Sequence, residues 1–133
     1  MSRSSFINYA SFSRFGEKKK GKIQHNTETV GDIVFDSTAE KNRYLELKLL
    51  EKRGLITDLV CHPRFEIIPS QKNDQGKTVF RAAHYTADFQ YMKDGKLVVE
   101  DVKSTYTREE KDYILRRKLM FYVNGIYVEE VIR

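Results

Sequence analysis

The sequence predicts an α/β fold: a small mixed β-sheet flanked by helices, in the order helix, three strands, helix, strand. Three observations carry this. "STAEKNRYLELKLLEKRG" (37–54) and "REEKDYILRRKLMFYVNG" (108–125) are rich in the strong helix formers Leu, Glu, Lys and Arg, and each closes on a glycine. Between them, residues 55–105 carry β-branched and aromatic residues punctuated by Pro63 and by the turn-forming stretches "QKNDQGK" and "KDG". "IYVEEVI" (126–132) follows the second helix directly, so a last strand can pair parallel to an earlier one.

Residues 1–27 read as an irregular arm, and 28–133 as one domain. In "ETVGDIVFDS" (28–37) the apolar stretch from Ile33 to Phe35 suits a strand entering a helix. Ser37 is placed to cap that helix, and Ser37-x-x-Glu40 spells a capping box in which Glu40 bonds back to the Ser37 amide. At about 100° per residue, Ala39, Tyr44, Leu47 and Leu50 share one stripe. Glu40 falls on the same stripe, so cap and inward-facing site compete for it. "LITDLVCHPRFEIIPS" (55–70) suits a strand broken or edged at Pro63. "TVFRAAHYTADFQYM" (78–92) and "KLVVEDVKST" (96–105) read as two strands of a hairpin joined near Asp94-Gly95.

A chain of 133 residues, 40% hydrophobic, is long and apolar enough for one core. No apolar run approaches the roughly 20 residues that span a bilayer, and the N-terminal stretch lacks a secretory apolar region. The lone cysteine, Cys61, rules out an intrachain disulfide and a multi-cysteine zinc cluster, and fits a reducing, cytoplasmic setting. The net charge of +5 resides entirely in the first 25 residues, where Arg3, Arg14, Lys18, Lys19, Lys20 and Lys22 face Glu17 alone. Such an arm suits contact with a polyanion, and equally a solubilising tail.

"VVEDVKS" (98–104) places charge where strands favour Val, Ile and aromatics. Alternation sets Leu97, Val99, Asp101 and Lys103 on one face, and Val98, Glu100 and Val102 on the other. On the preceding strand Tyr85, Ala87, Phe89 and Tyr91 form an apolar face, with Asp88 on the other. Counted outward from the turn, Asp88 and Asp101 fall opposite each other. Like charges so placed are destabilising unless a cation or proton lies between them. With Glu40 they would make an oxygen-rich cage for Mg²⁺ or Mn²⁺, and Lys103 would orient water and stabilise charge on a phosphate. The alternative is a hairpin whose charges pair on a solvated face. The three scattered histidines, His25, His62 and His84, make no metal spacing, and Cys61 suits a small buried filler.

"YTADF", followed after "QYMKDGKLVVE" by "DVKS", resembles the PD-(D/E)xK nuclease signature. "VFDSTAEKNRYLELKLLEKRGLITDL", "PRFEIIP" and "YTADFQY…VVEDVKS" together resemble a family of small phage and prophage proteins of that superfamily. The resemblance covers about residues 28–132. It implies a restriction-endonuclease-like core (αβββαβ) and a Mg²⁺- or Mn²⁺-dependent deoxyribonuclease acting in phage recombination, replication or packaging, in the host cytoplasm. It assigns Asp88, Asp101 and the Val102 carbonyl to the metal, with Glu40 added as in many members, and Lys103 to the water. Ala87 stands where the superfamily label has proline. Glu100, on the opposite face, is the acidic neighbour without a role. DNA is the implied partner. By charge alone, Lys18, Lys19 and Lys20 of the arm and Arg116 and Arg117 of the second helix would meet its phosphates, and equally the helix charges would form a solvated face balanced by Glu109, Glu110 and Asp112. Homodimerisation is an implied option, since such nucleases often pair to cut two strands. A non-catalytic binding module on the same fold and an RNA-processing nuclease are the rival readings.

Overall fold

The computed structural model describes residues 27–133. The basic arm, with Lys18, Lys19 and Lys20, lies outside the described residues, as does His25. The chain opens with a hairpin of β1 (Glu28–Val30) and β2 (Ile33–Phe35), which leads into α1 (Thr38–Lys52). Ser37 Oγ accepts the Glu40 N–H at 3.1 Å and caps the helix. At the other end Gly54, with φ of +74°, takes the left-handed turn that lets the Leu55 N–H reach Leu50 O.

β3 (Thr57–Cys61) and β4 (Arg64–Ile68) follow, then a small hairpin of β5 (Gln71–Lys72) and β6 (Thr78–Phe80). Next come β7 (Ala83–Thr86), β8 (Phe89–Lys93), β9 (Lys96–Lys103), a single 3₁₀ turn at Thr107–Glu109, α2 (Lys111–Asn124) and β10 (Glu129–Ile132). The central sheet has the order β10-β9-β8-β3. β8 runs antiparallel to both β3 and β9, and β10 runs parallel to β9. The fold is thus α/β with a mixed sheet and two helices. No described helix is long and apolar enough to cross a membrane.

The stretch 55–70 is broken at His62-Pro63, as Pro63 implies, into β3 and β4. Two expectations need correction. The strand over 78–92 is three, interrupted at 81–82 and again at Ala87-Asp88. The second helix begins at Lys111, not 108, since its first residues wind into the 3₁₀ turn. The break at Ala87-Asp88 also divides the expected apolar face. Tyr85 and Ala87 join Ile67, Val99, Met120 and Val128 in one buried cluster, against α2. Phe89 and Tyr91 join Phe35, Leu47 and Ile56 in another, against α1. A continuous strand would keep all four on one side. The irregular backbone at Ala87-Asp88 changes the face, and Asp88 sits at the crossing.

Candidate active site

The hairpin of β8 and β9 sets the site. Its two-residue turn, Asp94-Gly95, has positive φ at both positions, 51° and 74°, as a tight right-twisted hairpin requires. That turn fixes the register, pairing Lys93 with Lys96 and Phe89 with Glu100. One step farther out, Asp88 meets Asp101. The Asp88 N–H donates to Asp101 Oδ1 at 2.9 Å, and the Val102 N–H donates to Asp88 Oδ2 at 2.7 Å. Val102 thus enters the site through its amide. The Tyr85 hydroxyl donates to Asp101 Oδ2. Asp101 is 2% exposed.

The electrostatics follow from this crowding. Burial, then the Asp101 charge, pushes the Asp88 carboxyl up to about 7, with Glu40 adding to the rise and the Val102 amide and Lys103 opposing it. Burial and Asp101 together push the Tyr85 hydroxyl far above its ordinary range, so it stays a donor. Lys103 Nζ lies 3.9 Å from Asp101 Oδ2 and 4.9 Å from the centre of the Tyr113 ring. One ammonium thus faces two converging carboxylates.

Glu40 is buried at the start of α1. Its Oε2 accepts the Asp36 N–H at 3.2 Å, rather than the Ser37 amide that the capping box leads one to expect. Its Oε1 lies 2.7 Å from His62 Nε2. His62 occupies the bend before Pro63 with φ of +53°, packs its ring 6.0 Å from Phe35, and donates its backbone N–H to Asp88 O at 2.9 Å. Sequence reasoning passed over this histidine. A His-Pro pair at a strand break was its one signal. Tyr85 and Tyr113, which shape the site from β7 and α2, gave none. His84 accepts from Arg64 Nη2 at 3.1 Å, and burial pushes the Cys61 thiol up, away from nucleophilic use.

The remaining charges sort differently. Glu100, 1% exposed, is gripped by Arg43 of α1, with Nε–Oε1 at 2.7 Å and Nη2–Oε2 at 3.0 Å, and accepts the Tyr91 hydroxyl. Glu100 is therefore a structural ion on the α1 side. On α2, Arg116 is exposed. Arg117 is committed to Val128 O at 2.8 Å and Glu130 Oε1 at 2.9 Å, so it braces β10 against α2.

The donor set at Asp88 and Asp101 is all oxygen, which suits a hard divalent cation, and the raised Asp88 carboxyl marks negative charge that a cation would compensate. Among the described residues no three His, Cys, Asp or Glu side chains already converge as a complete cation site. Asp88 and Asp101 form a pair, and Glu40, tied to His62 at 2.7 Å, is near enough for its charge to add to the rise of the Asp88 carboxyl. The set can hold or release a proton near neutrality, and it can present two carboxylates and an ammonium to a phosphate.

No curated protein and no solved structure matches this chain. Residues 18–130 match the family described as "Protein of unknown function (DUF1064)", and since that match runs through the β8–β9 hairpin and both helices, the chain belongs to this family.

Proposed function

We propose that the protein is a metal-dependent deoxyribonuclease of PD-(D/E)xK type. The observation that carries this reading is the convergence of Asp88, Asp101 and Lys103 at the open end of one hairpin, with Glu40 presented from the preceding helix. The architecture supports it. The elements that build the central layer run helix, strand, strand, strand, helix, strand, and the last strand is parallel to its neighbour, as in a restriction-endonuclease-like core.

Asp88 and Asp101 would hold Mg²⁺ or Mn²⁺, and Glu40 would add a third carboxylate or a water-mediated contact. Bound there, the ion supplies Lewis acidity toward a phosphoryl oxygen and a more acidic water. The chain does the rest. The Tyr85 hydroxyl and the Asp88 amide fix both oxygens of Asp101, so its carboxylate needs no reorganisation. The Val102 amide fixes Asp88 in the same way. Lys103, half-buried on the Tyr113 ring, presents its ammonium to a phosphate oxygen or an attacking water. Two carboxylates without such a cation would repel a phosphodiester.

The test is cleavage of plasmid, linear, flapped and four-way-junction DNA, and of matched RNA, with Mg²⁺, Mn²⁺ or EDTA. Metal-dependent cutting lost in both Asp88→Ala and Lys103→Ala is expected. Absence of cutting on every substrate, with both metals, overturns the reading in favour of a binding module.

A further inference from the structure

On the flank of α2 next to this site, Phe121 is 61% exposed and Tyr127, in the loop before β10, is 66% exposed. With Arg108, Tyr113, Arg117 and Lys118 they wall a groove of about 570 Å³. Aromatic surface of this extent left in water needs an occupant.

Three features describe that occupant. First, apart from the aliphatic Ile114 the lining is aromatic and cationic, with no acidic side chain among the groove-lining residues. Glu130 lies beneath it and holds Arg117 at 2.9 Å and Arg108 at 3.5 Å, which fixes the guanidiniums without filling the groove. Second, the Arg117 guanidinium, held by Val128 O and Glu130, stacks 4.7 Å from the centre of the Tyr127 ring, giving a platform of ring and cation. Third, Tyr113 is shared: one wall of the groove is the ring on which Lys103 rests, so groove and active site adjoin.

An unpaired nucleotide satisfies all three, because its base stacks on aromatic faces while its phosphate meets fixed cations. Paired bases in a duplex have no free faces to offer. An acidic peptide would meet the cations but not the platform. The chain's own basic N-terminal segment carries the same sign as the groove rim. We propose that this groove takes an unpaired nucleotide of the strand being cut, so that the substrate class is DNA with a single-stranded stretch adjoining the scissile phosphate. The proposal rests on the nuclease reading above.

The test is fluorescence anisotropy of the full chain in EDTA, with labelled blunt duplex, the same duplex carrying a single-stranded tail, and oligo(dT). Wild type is expected to prefer the tailed duplex and oligo(dT). Tyr127→Ala and Phe121→Ala should each reduce the ratio of tailed to blunt affinity about tenfold, and Tyr127→Phe should restore it. Equal affinity for tailed and blunt DNA, no binding to any probe, or an unchanged ratio in the alanine variants overturns the proposal. So does a wild-type dimer in sedimentation that Tyr127→Ala dissociates, which assigns the groove to a second copy. Metal-dependent cleavage without tail preference sinks the groove alone. Tail preference without cleavage in Mg²⁺ or Mn²⁺ sinks the nuclease reading alone.

Discussion

Asp101 accepts the backbone N–H of Asp88 at 2.9 Å, while Asp88 accepts the backbone N–H one residue beyond Asp101 at 2.7 Å. The two carboxylates therefore stitch the open end of the hairpin together even as their charges repel. Structure and charge separate by substitution. Asp88→Asn retains an acceptor for the Val102 amide but removes the charge. It should lower metal-dependent cleavage by about a hundredfold or more. It should also raise the stability of the metal-free protein at pH 8, as read by urea unfolding.

The Asp88 carboxyl gives a pH signature. An unfolded aspartate titrates near about 4, whereas Asp88 is pushed up to about 7. Between these values the folded chain holds a proton that the unfolded chain has lost. This group's contribution therefore favours folding least above pH about 7, and metal-free stability falls as pH rises through that window. Binding of Mg²⁺ or Mn²⁺ just below pH about 7 should release a proton. Calorimetry in buffers of different ionisation enthalpy counts it. A buffer-independent heat would place the metal elsewhere.

His62 holds Glu40 through its ring and the Asp88 backbone through its amide. His62→Ala should weaken metal affinity and cleavage by about 10–100-fold, the usual effect of losing a group that orients a ligand. His62→Gln, whose amide can reach Glu40, should recover most of both. Equal loss in the two variants, with matching loss of secondary structure by circular dichroism, would mark His62 as a fold residue only.

Arg43 and Glu100 make a separate prediction about stability. Arg43→Ala leaves a carboxylate buried without its bidentate partner and should cost about 3–5 kcal/mol in denaturant unfolding. The double variant Arg43→Met with Glu100→Met should cost much less, because both charges leave together. The two single effects should not add.

How much of this was legible in the sequence depends on how local the determinant was. The opposition of Asp88 and Asp101 follows from counting out from Asp94-Gly95, because a two-residue turn fixes register over the few residues between. The helices followed from composition and caps. Alternation failed at Ala87-Asp88, where the backbone leaves the strand and swaps faces. The sequence left Glu40 between cap and inward-facing site, because capping statistics cannot see His62, brought in from a bend 22 residues later. Arg117 read as a free cation because Glu130 joins it only once β10 lies beside β9.

Among the described strands β9 alone feeds both buried clusters, sending Val99 toward α2 and Val98 and Val102 toward α1. It is also bonded on both sides, to β8 and β10. Neither half of the molecule can open locally without disturbing it. Its central amides should therefore be among the last to exchange with deuterium, close to the free energy of global unfolding. The carboxylate of Asp101 would then ride on the segment of highest expected protection, bonded to a strand on either side.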